Sequence, residues 1–240
     1  MRFLRRRDME KRETIRCVLF DFDGVVADTE LSNIGYLERA LAVFGLGLNE
    51  EQRRALIGVN TLDVIRPLLS AAEPPVSEEE LARVRKQQGN TYENSPQLCT
   101  LPGFRELLNR LRLRGVKTGL VSSTSSRLIL AALNRLSLTG QFDLILCGDM
   151  VERKKPDPEC YRRAMTLLDI PPEACAVVED SPVGISAGLA SGAYVVGYEG
   201  GQIRQDTGLA HARIAHFSEC AELPPFRELL KDTENEEERA

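Results

Sequence analysis

Residues 17–20, Cys-Val-Leu-Phe, form an unbroken apolar run that leads directly into Asp21-Phe22-Asp23-Gly24. This junction constrains the fold more than any other stretch. A short apolar run containing a β-branched residue suits a strand buried on both faces of a parallel sheet. An ionised carboxylate left in apolar surroundings is costly, so Asp21 and Asp23 must lie where the strand meets solvent, a cation or both. That place is the strand's carboxyl end, the edge at which open α/β sheets bind ligands. Taken alone, Asp-x-Asp-Gly fits equally well with an ordinary turn that ends a strand.

Three later segments repeat the pattern. Leu120-Val121 runs into Ser122-Ser123-Thr124. Lys154-Lys155-Pro156-Asp157-Pro158 lies near the end of another apolar segment, and Ala176-Val177-Val178 runs into Glu179-Asp180-Ser181-Pro182. If the strands are parallel, all these ends share one edge of the sheet. Between them the pattern alternates strand and helix: strands over 116–121, 142–147, 175–178 and 193–197, helices over 104–113, 127–136, 158–168 and 182–191. Ser181 with Pro182 reads as an N-cap followed by proline at the first helical position. Such alternation predicts an α/β fold, a doubly wound parallel Rossmann-like sheet.

The stretch between the first and second strands differs. From Glu30 to Phe44, Ile34, Leu37, Leu41 and Phe44 recur at helical spacing, and further helical pieces cover about 50–57, 61–70 and 77–92. Ser77 and Glu80 make a capping box. No strand is evident from 28 to 98, which predicts an inserted α-helical unit. The expected organisation is a disordered extension at 1–14, an α/β core at 15–27 and 99–230, a helical insertion at 28–98 and a polar tail at 231–240.

Composition excludes several functions. With 240 residues and 42% hydrophobic content the chain can bury a sizeable core, and its formal net charge of -5 argues against a nucleic-acid partner. No apolar run reaches the ~18 residues needed to span a membrane. The six cysteines, 17, 99, 147, 160, 175 and 220, show no metal-ligand spacing and favour a reducing, cytoplasmic setting. His211 and His216 lie away from the motifs and are assigned no catalytic role.

With these four motifs in order, the chain resembles the haloacid dehalogenase superfamily, in the branch of phosphatases and phosphomutases that contains β-phosphoglucomutase. The resemblance spans roughly Ile15 to Val196 and implies that residues 28–98 form a cap. It implies a Mg²⁺-dependent phosphatase, a monomer acting on a small phosphorylated metabolite such as a sugar phosphate, with no nucleic-acid or membrane partner. Asp21 would be the nucleophile that forms an aspartyl-phosphate, and Asp23 the general acid and base. Ser122, the amide near Ser123, and Gly24 would bind phosphate. Lys155, directly before proline, would offset the negative charge, leaving Lys154 solvated. Magnesium would be held by Asp21, Asp180 and the backbone carbonyl of Asp23, with Glu179 assisting from its surroundings.

Two alternatives stay open. One is a sugar phosphomutase of the β-phosphoglucomutase type. The other is a non-catalytic phosphoaspartate signalling or binding domain, although receivers of that kind lack a helical insertion. β-Phosphoglucomutase-like members carry a histidine five residues after the aspartate matching Asp28, a position occupied here by Asn33. An amide cannot titrate near neutral pH as an imidazole can, which favours transfer of the phosphoryl group to water.

Overall fold

The computed structural model describes residues 14–56 and 61–231. The expected extension and polar tail lie outside these residues, apart from Thr14 and Lys231. Six strands, β1 (Cys17–Phe20), β2 (Lys117–Val121), β3 (Leu144–Leu146), β4 (Cys175–Glu179), β5 (Tyr194–Tyr198) and β6 (Ala212–Ile214), form one sheet in the order β3-β2-β1-β4-β5-β6. Every pairing is parallel. Phe20 of β1 aligns with Leu120 of β2 on one side and Val178 of β4 on the other. The winding direction reverses between β1 and β4, which makes their carboxyl ends the switch point.

Period-two alternation divides the strands between two cores. Val18, Phe20, Leu120, Val178 and Val196 join one cluster, while Cys17, Leu19, Val121, Val177 and Val195 join the other. Since β1, β4 and β5 are buried throughout, their side chains read as continuous apolar runs. Among the described residues, five helices lie between β1 and Cys99: α1 (Glu30–Ala42), α2 (Glu50–Ala55), α3 (Thr61–Ser70), α4 (Glu78–Gln88) and α5 (Thr91–Asn94). After these come α6 (Phe104–Leu113), α7 (Ser126–Arg135), α8 (Glu159–Leu168), α9 (Pro182–Ser191) and α10 (Pro224–Arg227). Helices α6, α7 and α10 cover the first core, and α8 and α9 cover the second.

The inserted helices have a small core of their own, with Leu37 and Leu41 of α1, Ile65 and Leu69 of α3, and Leu81 of α4. The helix expected over 77–92 is two helices. Its capping box at Ser77 and Glu80 is present, but α4 ends at Gln88 because Gly89 takes φ +85°, a left-handed turn open to glycine. Beyond it, α5 packs on α7, and Tyr92 belongs to the sheet's own core. Arg135 of α7 donates to the carbonyls of Thr91, Tyr92 and Ser95, and Arg127 pairs with Glu93. The chain thus rejoins the main body at Thr91, ahead of Cys99.

All six cysteines are free thiols, with Cys99 exposed and the others buried. Among the described residues, no helix is long and apolar enough to cross a membrane.

Candidate active site

The carboxyl ends of β1, β2 and β4 and the loop after β3 open into a cavity of about 540 Å³. Asp21, Asp23, Lys155 and Asp180 line its floor, and the inserted helices supply Asn33, Ile34, Leu37 and Arg85 opposite them. Phe22 is fully buried between two aspartates that both reach the cavity. The two-residue spacing therefore turns both carboxylates the same way.

Lys155 is the centre of the floor. Its Nζ lies 2.6 Å from Asp21 Oδ1, 2.7 Å from Glu179 Oε1 and 3.1 Å from the Val121 carbonyl, with its side chain only 5% exposed. Burial alone would lower this ammonium's pKa, but Asp21 and Glu179 outweigh it and hold the group well above its ordinary value. Glu179 is saturated by protein donors. Its Oε1 also accepts from Tyr161 (2.9 Å), and its Oε2 accepts from the amides of Asp180 and Ser181 and from the Ser181 hydroxyl. A Cβ at Gly184 would come within 1.7 Å of Glu179 Oε1, so α9 can start against this carboxylate only with glycine there. Lys154 is exposed and outside the cluster.

Asp180, 6% exposed, completes the group. Its Oδ2 accepts from the Gln205 amide at 3.1 Å. Gly24, at φ +77°, presses against it: a Cβ there would lie 2.0 Å from the same oxygen. Each of Asp21, Glu179 and Asp180 can offer one oxygen within 4.8 Å of the others. Three buried carboxylates face one buried ammonium, so with all three ionised two negative charges would have no partner. An all-oxygen donor set with that surplus fits one hard divalent cation such as Mg²⁺.

Asp23 is held differently. Its Oδ1 accepts from Thr29 Oγ1 (2.5 Å) and the Tyr92 hydroxyl (2.8 Å), and its Oδ2 accepts from Thr124 Oγ1 (3.0 Å). Three hydroxyls thus orient this side chain without neutralising it. Tyr92→Phe removes one of them and is expected to lower kcat about 10-fold, since a hydrogen bond to a charged group contributes about 1.5–3 kcal/mol. An unchanged kcat would show that Tyr92 does not hold Asp23 for the reaction.

The crowding shifts the neighbouring acids. Burial raises Asp21 to about 8, with Lys155 opposing the rise and Glu179 and Asp23 adding to it. Asp180 is also pushed well up by burial, Glu179 and Asp21, and burial with Asp23 and Asp28 takes Glu30 to about 7. These folded-state values exceed the unfolded ones, so the folded chain keeps protons that the unfolded chain has released. The stabilisation is full below the unfolded values near 4 and is lost as pH rises through about 7 to 8. Without divalent cation, the melting temperature should therefore fall between pH 5 and pH 8, and Mg²⁺ should reduce that fall. A melting temperature that rises with pH would contradict it.

Ser122 is buried, its Oγ accepting from the Thr124 amide at 3.0 Å, while Ser123, Thr124 and Ser125 line the cavity. Sequence reasoning missed Thr29, Tyr92, Thr124 as a partner of Asp23, Glu30, Arg85 and Gln205. Thr124 extended a run of hydroxyls already singled out. Tyr92 and Gln205 carried no local signal, because they reach the site only through tertiary packing. His211 accepts from the Val195 amide at 3.0 Å, a contact away from the cavity.

Comparison with known proteins agrees with this geometry. The chain is 34% identical over 179 residues to a phosphorylated carbohydrates phosphatase of Thermotoga maritima, covering 74% of this chain and 82% of that protein. It is 28% identical to the β-phosphoglucomutase of Bacillus subtilis, covering 78% and 85% respectively. CbbY of Rhodobacter sphaeroides, solved in complex with phosphate, superposes with a TM-score of 0.71 at 25% identity, covering 85% of this chain and 96% of that one. The family profile described as haloacid dehalogenase-like hydrolase matches residues 18–198, nearly the whole sheet and its insertion. The chain belongs to the haloacid dehalogenase-like hydrolases.

Proposed function

We propose that this protein is a Mg²⁺-dependent phosphatase that hydrolyses a small phosphorylated metabolite, a sugar phosphate or related polyol phosphate, through an aspartyl-phosphate at Asp21. The observation that carries this reading is the buried cluster of Asp21, Glu179, Asp180 and Lys155 at the switch point. A relative named for phosphorylated carbohydrates supports the substrate class. So do Thr61, Asn33 and Arg85, which stand among the apolar Ile34, Leu37 and Leu56 of the cavity's upper wall and can hydrogen-bond hydroxyl groups. Residues 28–90 act as the cap over this site.

Asp21 would attack phosphorus, and the ester P–O bond would break as Asp23, then protonated, gives its proton to the leaving alcohol. Asp23 would next take a proton from water, which attacks the aspartyl-phosphate to release phosphate and free Asp21. Lys155 would hold Asp21 in place and offset charge on the phosphoryl oxygens. Hydroxyl and amide donors at Ser122 and Ser123, with the Gly24 turn beside them, would cradle those oxygens. Asp21 and Asp180, with the Asp23 backbone carbonyl, would hold the Mg²⁺, which supplies the counter-charge for bringing an anion to a carboxylate. Glu179, saturated by protein donors, would act by fixing Lys155 and the Asp180 turn.

A mutase of the same branch is the competing reading, kept in view by the Bacillus subtilis relative. Asn33 lines the cavity, so the position that carries the mutase-type histidine holds a group that does not titrate. A panel of phosphorylated sugars and polyols with Mg²⁺ tests the function, free phosphate being the expected product. Incubation with β-glucose 1-phosphate and a trace of the 1,6-bisphosphate separates the readings. Glucose 6-phosphate accumulating faster than phosphate would replace the hydrolase with the mutase.

A further inference from the structure

Asp180 is the one member of the acidic cluster that does not touch Lys155. Among the described residues, the only hydrogen-bond donor to its carboxylate is the side-chain amide of Gln205, 3.1 Å from Oδ2. Gln205 belongs to the loop between β5 and β6, far in sequence from the four motifs. That loop is pinned on both sides of Gln205. The Thr207 hydroxyl, buried, donates to Glu199 at the end of β5, and the backbone N–H of Gln202 donates to Asp28 Oδ2 at 2.7 Å. Asp28 is the residue from which the chain leaves for the inserted helices.

We propose that Gln205 is a positioning residue that aims Asp180 at the divalent cation. The carboxylate is gripped from two sides, by the Gly24 backbone, which leaves no room for a Cβ, and by the Gln205 amide. One oxygen is thereby fixed, and the group has a single orientation before the cation arrives. The chemistry of the donor matters. An amide donates one hydrogen bond and adds no charge, so it orients Asp180 without competing with the cation, whereas an ammonium in its place would neutralise the ligand.

This inference rests on the metal-dependent reading above, and the test separates the two. Mg²⁺ is titrated calorimetrically into wild type, Gln205→Met and Gln205→Lys without substrate, and the melting temperature is followed with and without Mg²⁺. Gln205→Met, similar in size but without a donor, should bind Mg²⁺ about 10-fold more weakly, as expected for loss of a partner that orients a ligand. Its turnover at limiting Mg²⁺ should fall in parallel and recover as Mg²⁺ is raised. Gln205→Lys should raise the melting temperature of the cation-free protein, because it pairs with the surplus carboxylates, and should lose Mg²⁺ binding. A residue with a merely structural role would lower the melting temperature in both variants and leave the Mg²⁺ affinity of the folded fraction unchanged. That result overturns the inference, as does a raised KM with unchanged Mg²⁺ affinity, which would put Gln205 on the substrate. Wild type that binds no Mg²⁺ would overturn the metal-dependent reading and the inference together.

Discussion

Asp21→Asn is expected to lower phosphatase turnover by roughly 10,000-fold or more, the scale on which removing a nucleophile acts, while leaving the fold intact. An amide is close in size to the carboxylate and can still accept a hydrogen bond from Lys155, 2.6 Å away in the wild type. It cannot form the acyl phosphate. In cation-free protein the variant should be at least as stable as wild type, because burial already disfavours the Asp21 charge and raises its pKa to about 8. The two readouts therefore move apart, with activity lost and stability kept. Turnover retained above about one hundredth of wild type, well above the residual activity left when a nucleophile is removed, would end the assignment of Asp21 as nucleophile.

Lys155→Met should destabilise the protein by about 3–5 kcal/mol, the usual consequence of removing one partner from a buried ion pair. Asp21 and Glu179 would both lose their ammonium partner, while Glu179 keeps Tyr161 and the Ser181 donors. Asp21, raised to about 8 by burial, rises further without the ammonium, so the loss should be largest above pH 8 and shrink as pH falls through about 8. Turnover should fall as well, since Asp21, the nucleophile in the proposed mechanism, loses its anchor. Lys154→Met, at an exposed neighbouring position, serves as the control and should leave both stability and activity near wild type. Denaturant melts of both variants at two pH values measure the difference. Equal effects from the two substitutions would show that the ion pairs of Lys155 contribute nothing.

The sheet was legible because its central strands are buried on both faces and stay apolar until the residue at which chemistry begins. Phe20 to Asp21, Val121 to Ser122 and Val178 to Glu179 mark that change within one residue, and parallel pairing brings all three ends to one edge. Ala212–Ile214 escaped notice because Arg213 interrupts it and leaves no apolar run, whereas β3, equally short and also at an edge, is the unbroken Leu144-Ile145-Leu146. Gly89 was hidden within a long polar helical pattern, although its φ of +85° ends α4. At the site, the residues readable from sequence are those next to strand ends. Tyr92 and Gln205 act on Asp23 and Asp180 from distant stretches, through hydrogen bonds spanning 69 and 25 positions. Neither contact can be read from local pattern, because packing of α5 on α7 and the fold of the β5–β6 loop create it.

The central claim is that the phosphoryl group passes through Asp21. Mixing the Mg²⁺-loaded enzyme with a phosphate ester labelled on phosphorus, quenching in acid within the first turnover and mapping the peptides tests this directly. The account predicts a transient label on the peptide containing Asp21, released by hydroxylamine as expected of an acyl phosphate and absent in Asp21→Asn. Turnover with no labelled enzyme at any time, or label carried by Asp23 or Ser122 instead, would contradict it.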